Sequence, residues 1–159
     1  MLISLFIAVV VLFLFFIFTS NRDRGPVKKI EPNQPQAAQT TKLVINSVEI
    51  QAEIADEPSE ISKGLSDRDS LGEKSGMYFD LGERRVATFW MKGMLFPIDI
   101  IWIDDGKIVY VVKNASVPTE NNIPTFTSDK PATHILEVNS GFAKKHSIEV
   151  GDRVEVKPN

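Results

Sequence analysis

The stretch Phe89–Lys113, FWMKGMLFPIDIIWIDDGKIVYVVK, holds both tryptophans of the chain and its clearest hairpin pattern. Residues 98–113 are almost continuously apolar and β-branched, except at the tetrapeptide DDGK at 104–107. An Asp-Gly pair readily adopts the positive φ angles of a type I′ turn, so this interruption predicts a two-residue loop between two antiparallel strands.

The first strand of this hairpin is apolar on both of its faces. Because successive strand side chains alternate, the even-numbered positions 98–104 share one face, and Asp99, Ile101 and Ile103 share the other. A strand that is apolar on both faces is expected to be covered on both sides. Asp99 then points into an apolar layer, which is unfavourable unless the carboxylate is paired or hydrogen-bonded.

Lys92 is the cation nearest to Asp99 in the sequence. The alternation over residues 86–92 predicts a further strand, and residues 93–97 connect it to the hairpin. We therefore expect Lys92 and Asp99 to meet at the rim of a pocket. The sequence supports equally a purely structural role, in which Asp99 caps the connection between the two strands.

Composition predicts one globular domain of ordinary size. The chain has 159 residues, of which 43% are hydrophobic and 25% charged, as in folded soluble domains. It contains no cysteine, which excludes disulfides, zinc–thiolate sites and cysteine nucleophiles.

Residues 1–20 are predicted to form an N-terminal transmembrane anchor. Leu2–Phe18 is apolar except for Ser4 and carries no charge, although about 20 residues are usual for a helix that spans a bilayer. The alternative is a cleaved signal peptide, but the basic segment before the apolar run and the Ala-x-Ala cleavage site are both missing. We therefore expect an uncleaved anchor that contacts the lipid bilayer.

A linker rich in Pro and Gln, residues 21–41, is predicted to join this anchor to a folded domain at residues 42–159. The first 41 residues carry a net charge of +2 and the domain carries −5. An acidic domain argues against a nucleic-acid partner. The basic residues after the apolar run favour a cytoplasmic domain, but a short N-terminal anchor also resembles an export signal, so the side of the membrane stays open.

The domain pattern predicts an α+β fold that is mainly β, a small barrel-like sheet with antiparallel or mixed strands and two short helices. Strands are expected at residues 42–54, interrupted near Asn46, at 77–81 and 86–92 around a turn, at 125–127, 134–138 and 153–156. The helices are expected at residues 57–64, with Pro58 first and Gly64 last, and at 141–146, capped by Ser140.

Standard catalytic and metal-binding motifs are missing from the sequence. The two histidines, His134 and His146, have no acidic partner at metal-ligand spacing, and no nucleophile elbow or phosphate loop occurs. We therefore predict no metal and no cofactor. Glu137, within an apolar strand, is expected to have a buried partner such as an arginine. For Trp90 and Trp102 a place in the core is favoured, with a place at a site as the alternative.

Several motifs together resemble the prokaryotic family called domain of unknown function 192. They are GLSDRDSL at 64–71, GMYFDL at 76–81, FWMKGMLFPIDIIWID at 89–104, and HILEVNSGFAKKHSIEVGDRV at 134–154. The resemblance covers residues 42–156 and implies a compact, mainly-β domain, often behind an export signal or membrane anchor, with no implied activity. Its signature positions fall on Arg68, Trp90, Met91, Lys92, Pro97, Asp99, Asp104, Glu137, Gly151 and Asp152. Two positions depart from it, since Gly93 stands where Asn is common and Ser66 where Met is common.

The leading functional hypothesis is a membrane-tethered, monomeric module that binds a small ligand, a glycan or a peptide end. The predicted ligand-binding residues are Trp90, Met91, Lys92, Phe96, Asp99, Arg68 and Glu137. One alternative is an enzyme in which Asp99 is the general acid or base and Lys92 tunes it. A second alternative is a structural or protein-interaction domain, which predicts an exposed apolar patch and no pocket.

Overall fold

A seven-stranded mixed sheet forms the frame of the domain in the computed structural model, which describes residues 38–157. The strands are β1 (Thr40–Ile45), β2 (Val48–Ala55), β3 (Ser75–Arg85), β4 (Thr88–Trp90), β5 (Ile98–Asp104), β6 (Lys107–Ala115), β7 (Thr125–Thr127), β8 (Ala132–Asn139) and β9 (Val154–Lys157). The helices are α1 (Pro58–Lys63) and α2 (Phe142–Lys145). The large sheet has the order β6-β5-β8-β3-β2-β1-β9, while β4 and β7 form a separate pair.

The sheet curls into a half-barrel because its two edge strands approach each other at one end. The β6 edge meets the chain just before β9 through an antiparallel bridge between Lys107 and Arg153. The Ile108 N–H donates to the Asp152 carbonyl at 2.9 Å, and the Val154 N–H donates to the Gly106 carbonyl at 2.9 Å. Only β2 and β3 run parallel among the paired strands of residues 38–157. The mainly-β, barrel-like α+β prediction with two short helices is thus confirmed.

Apolar layers cover both faces of the sheet, as the pattern of β5 predicts. The first core, on one face, takes Ile101 and Ile103 from β5 and is closed by Phe142 of α2. The second core, on the other face, takes Ile98, Ile100 and Trp102 from the same strand. The side of the sheet that carries the second core also carries the short β4–β7 pair, through Phe89 and Phe126.

Two tight hairpins follow the predicted turn chemistry. Asp105 and Gly106 have φ angles of 48° and 65°, the positive pair that a type I′ loop between β5 and β6 requires. The β1–β2 loop has the same character, with φ angles of 48° at Asn46 and 66° at Ser47. Both loops hold their strands in antiparallel register.

The region around Gly82 differs from the prediction. Residues 77–81 and 86–92 are not two strands around a turn, because β3 continues without a break from Ser75 to Arg85. Gly82 has a φ of 69° and donates its N–H to the Asp80 carboxylate at 2.8 Å, and the register with β8 shifts between Asp80 and Arg85. The predicted turn is therefore an irregular bulge within β3, where the register advances by five residues on β3 and by two on β8. The strand that follows pairs with β7 rather than with the large sheet.

The predicted anchor, residues 1–20, and most of the predicted linker, residues 21–41, lie outside the described residues. Strand β1 begins at Thr40, two residues before the predicted start of the domain at Lys42. Within residues 38–157, no helix has the length and apolar character needed to cross a membrane.

Candidate functional site

A cavity of about 470 Å³ opens on the side of the sheet that holds the second core. It lies between α1 with the segment that follows it, the second half of β3, and strand β4. Much of its wall is apolar and comes from Ile61, Leu65, Phe79, Phe89 and Met94. This volume and lining are typical of small-molecule sites.

The Glu137 side chain reaches this cavity from the central strand β8. Its neighbours in register are Met77 on β3 and Ile100 on β5, both apolar, and the residue is only 4% exposed. Its Oε2 atom has no hydrogen-bond partner among the described residues. Burial raises the pKa of the Glu137 carboxyl to about 8, so it is mainly the neutral acid at neutral pH.

Gly64 lies against the carboxyl of Glu137 on the α1 side. Helix α1 begins at Pro58, where the Glu60 side chain accepts from the Glu57 N–H at 3.3 Å, and it ends at Gly64 with a φ of 50°. A Cβ at Gly64 would lie 3.5 Å from Cζ of Phe79 and 3.8 Å from Oε2 of Glu137. The same point beside Gly64 is therefore in contact distance of an aromatic ring edge and of the free carboxyl oxygen.

Edge-to-face contacts fix the aromatic wall of the cavity. The ring centroids of Phe79 and Phe89 are 5.0 Å apart at 82°, and Phe89 contacts Trp102 at 6.3 Å and 78°. The Trp102 indole N–H donates to the Ala87 carbonyl at 3.3 Å. Trp90, which lines the cavity, is 49% exposed, so the prediction that both tryptophans are in the core is correct for Trp102 and wrong for Trp90.

Four charged residues line the cavity besides Glu137, namely Asp56, Lys63, Asp80 and Arg85, but the Asp80 carboxylate lies on the other face of β3, 3.9 Å from the His134 ring. Asp80 is held by the Gly82 N–H, and Nε of Arg85 lies 4.0 Å from a Glu83 oxygen, the outer limit of an ion pair. Within residues 38–157, Lys63 has no ion-pair partner, and none of the four hydrogen-bonds Oε2 of Glu137.

Of the predicted ligand-binding residues, Trp90 and Glu137 line this cavity, and the other five lie elsewhere. Met91 is fully buried, while Phe96 is partly buried against the second core. Lys92 is exposed, with its ammonium 5.8 Å from the ring centroid of Trp90.

Asp99 is buried and caps the start of α2. Its Oδ2 accepts from the Ala143 N–H at 2.8 Å, and its Oδ1 accepts from the N–H groups of Asn114 at 2.8 Å and Gly141 at 3.2 Å. The predicted ion pair with Lys92 is wrong, as is the predicted cap on residues 93–97. Ser140 is not the cap of α2 either, because its hydroxyl donates to Asn114 Oδ1 at 2.7 Å.

Arg68, a predicted ligand-binding residue, is bound to Glu53. Its two terminal nitrogens donate to both oxygens of Glu53, at 2.5 Å and 2.7 Å. This bidentate bond lowers the pKa of the Glu53 carboxyl. The prediction of a buried arginine partner for Glu137 is therefore wrong, since Glu137 lacks any such partner in the described part of the chain.

The comparisons with known proteins agree with the resemblance in the sequence. The family model DUF192, described as "Uncharacterized ACR", matches residues 40–156. The chain belongs to the DUF192 family. No protein with a curated description matches it.

Two solved structures share this fold. A Sinorhizobium meliloti protein described as "a putative transcription regulator" is 29% identical, with a TM-score of 0.71, over 77% of this chain and 98% of that one. A protein of unknown function from Novosphingobium aromaticivorans is 28% identical, with a TM-score of 0.68, over 79% of this chain and 91% of that one.

The two departures from the DUF192 pattern, Ser66 and Gly93, lie in direct contact. A Cβ at Gly93, whose φ is 71°, would lie 3.0 Å from Cβ of Ser66. The Ser66 hydroxyl donates to the Lys92 carbonyl at 2.7 Å, and the Asp67 N–H donates to the Gly93 carbonyl at 2.8 Å. Because Ser66 also lines the cavity, this contact holds one wall of the candidate site.

Sequence reasoning missed most of the cavity wall, including Leu65, Phe79 and Phe89. Gly64 was recognisable only as a helix stop. Glu137 was recognisable from the sequence because it is a single acidic residue within an apolar strand. It lines the cavity of the candidate site.

Proposed function

We propose that this domain is a binding module for a small amphipathic molecule, and that the cavity beside Glu137 is its binding site. The apolar part of the ligand packs on Phe79, Phe89 and Leu65, and its polar group contacts the Glu137 carboxyl. The single observation that supports this proposal is a buried carboxyl oxygen that has no hydrogen-bond partner within residues 38–157 and lies beside a largely apolar cavity wall.

A structural role does not account for Glu137 equally well. Buried polar groups in folded proteins nearly always have a hydrogen-bond partner, and one without a partner costs about 1–3 kcal/mol. An apolar residue at position 137 would pack between Met77 and Ile100 without that cost. A group that is kept against stability is typical of a site whose ligand supplies the missing partner.

A fragment screen by NMR tests the proposal, with one variant that fills the cavity. Ile61→Trp adds bulk to the α1 side of the cavity, because Ile61 lines it from the helix. Val150→Trp is the matched control, since Val150 is 56% exposed and does not line the cavity. Fragments that shift the resonances of residues around Glu137 should lose binding in Ile61→Trp and keep it in Val150→Trp. Equal binding to both variants would place the fragments elsewhere and contradict the proposal.

A second candidate function is an enzyme with Glu137 as the general acid. The observation that favours it is a carboxyl that stays neutral near pH 7 inside an apolar cavity, which is the arrangement of a catalytic proton donor. Asp99 is a poor candidate for this role, because three backbone N–H groups already bind its oxygens. Ligands recovered unchanged after prolonged incubation support the binding module, whereas a product formed by the wild type and lost in Glu137→Gln supports the enzyme.

The sequence further supports a membrane tether for this module. Residues 2–18 form an uncharged, almost wholly apolar run, and the charged residues that follow are mostly basic. The full chain should stay in the membrane fraction after an alkaline carbonate wash, and a chain without residues 2–18 should not. Release of the full chain by the wash would contradict the tether.

The side of the membrane on which the domain lies is a separate question. The basic residues Arg22, Arg24, Lys28 and Lys29 favour the cytoplasm, and the family resemblance favours the outside. Protease added to intact spheroplasts should digest the domain only if it faces outward.

A further inference from the structure

We propose that the ligand is a cation, a protonated primary or secondary amine on a compact apolar body, whose ammonium group contacts Glu137 and whose apolar body packs on the Phe79 ring. This inference rests on the proposed function, because it names the class of ligand that the cavity takes. It follows from three independent features of the cavity.

The first feature is that no cation within residues 38–157 pairs with Glu137. Arg68 has both terminal nitrogens engaged by Glu53, so it is not available. Lys63 and Arg85 line the cavity, but neither forms an ion pair or a hydrogen bond with Glu137. An ionised Glu137 would therefore be a buried charge without compensation, and a ligand cation would provide the missing partner.

The second feature is that one point beside Gly64 lies close to both the carboxyl oxygen of Glu137 and the ring of Phe79. A group beside Gly64 lies within about 4 Å of both Oε2 of Glu137 and Cζ of Phe79, since a Cβ there would be 3.8 Å and 3.5 Å from them. An ammonium in this region is attracted to the carboxylate, and its flanking methylene groups pack on the edge of the Phe79 ring. Phe89 and Trp90 extend this wall toward the mouth of the cavity.

The third feature is the acidic character of the domain. Residues 42–159 carry a net charge of −5, which favours the approach of cations over anions. The charged residues that line the cavity besides Glu137 are Asp56 from the segment before α1, Lys63 from α1, and Asp80 and Arg85 from β3. The Asp80 carboxylate lies on the other face of β3 beside His134, so it does not face Glu137.

Proton release should accompany binding of such a ligand. The free domain holds the Glu137 proton at neutral pH because burial raises the pKa of its carboxyl to about 8. The ammonium binds the carboxylate form, so the proton passes from Glu137 to the solvent and no bond in the ligand breaks. The affinity should therefore rise about tenfold per pH unit below pH 8 and level off above it.

Three matched probes separate charge from shape, namely phenethylamine, phenethyl alcohol and phenylacetate. We would titrate each by calorimetry into the full chain in zwitterionic nanodiscs, over a pH series and in two buffers with different protonation enthalpies. The amine should bind at least tenfold more tightly than the alcohol near pH 8, and about one proton should be released per amine bound near neutral pH.

Two variants assign the effect to named side chains. Glu137→Gln keeps the shape of the site, so it should bind the alcohol as the wild type does, lose the preference for the amine, and release no proton. Phe79→Leu should weaken binding of the amine and the alcohol alike while the proton release per amine bound remains, because it removes the ring and keeps the carboxyl. This second variant tests the proposal even if Glu137→Gln fails to fold.

The outcomes distinguish the two proposals. An amine that binds no better than the alcohol, or with an affinity that falls as the pH rises, would overturn the inference and leave the binding module intact. Failure of all three probes to bind the wild type would overturn both. Amine binding that Ile61→Trp leaves unchanged would place the site outside this cavity, and that too would overturn the inference.

Discussion

Glu53 and Glu137 lie on one row of the sheet, each in register with Met77 between them, yet only Glu53 has an arginine partner. The pKa values of the two carboxyls are therefore shifted in opposite directions. Arg68 lowers the pKa of the Glu53 carboxyl, while burial raises that of Glu137 to about 8. Neighbouring acids with opposite shifts mark one as structural and the other as a candidate for function.

The stability of the domain should depend on Glu137 in a defined pH window. The folded state holds the proton up to a pKa of about 8, and the unfolded state loses it near 4.5. Between these values the wild type should lose about 1.4 kcal/mol of stability per pH unit relative to Glu137→Gln, and above them the difference should be constant. Urea unfolding of residues 38–159 over a pH series measures this difference. Parallel curves for the two proteins would contradict the burial of an ionisable group.

Arg68→Met should show the opposite dependence on pH. Because Arg68 lowers the pKa of Glu53, the pair stabilises the fold above the unfolded pKa of 4.5 and loses its effect as the pH falls through the lowered value. Both side chains are about one-third exposed, so we expect a loss of about 1 kcal/mol at neutral pH. Chemical denaturation at neutral and acid pH measures it.

The exposed pair of Glu73 and Lys145 provides the control for this variant, because both of its side chains are more than half exposed. Glu73→Gln should leave the midpoint of unfolding unchanged. An equal effect of Glu73→Gln and Arg68→Met would show that the bidentate geometry of Arg68 adds nothing.

Local signals in the sequence were sufficient for most of the fold. The Asp105-Gly106 turn, the short helix that ends at Gly64 and the double-sided burial of β5 all follow from turn chemistry and alternation. The bulge at Gly82 did not follow, because a glycine in a strand is compatible with either a turn or a bulge, and pairing with β8 decides between them.

The candidate site was much harder to predict, because its residues meet only through tertiary contacts. The cavity combines residues 56–66, residues 79–90 and Glu137, which no local pattern connects. Lys92 and Asp99 are close in sequence and were paired for that reason. Asp99 instead caps α2, more than 40 residues later in the chain, which only the packing of the first core determines.

Asp99→Asn and Lys92→Met should have very different effects on stability. An asparagine amide at position 99 would place N–H groups against backbone N–H donors from Gly141 and Ala143, so at least one buried donor loses its acceptor. We expect a cost on the order of 3 kcal/mol, since bonds to a charged acceptor are lost as well. Lys92 is exposed and its ammonium lies 5.8 Å from the centre of the Trp90 ring, so its replacement should cost about 0.5 kcal/mol or less. Thermal and chemical unfolding of both variants test this difference. Equal losses of stability in the two variants would support an ion pair between the two residues.

Gly93→Ala should destabilise the domain more than Gly82→Ala, and the difference should report the contact with Ser66. The two glycines have nearly the same φ angles, 71° and 69°, so the backbone strain of an alanine is matched at about 1–2 kcal/mol. A Cβ at Gly93 meets Ser66 at 3.0 Å, whereas nothing lies within 4 Å of one at Gly82. The extra cost should fall in Ser66→Gly, which removes the opposing Cβ, so a double-mutant cycle measures the coupling. Additive effects in that cycle would mean that residues 66 and 93 contribute independently to stability. A coupling free energy would mean that the effect of a substitution at one position depends on the residue at the other.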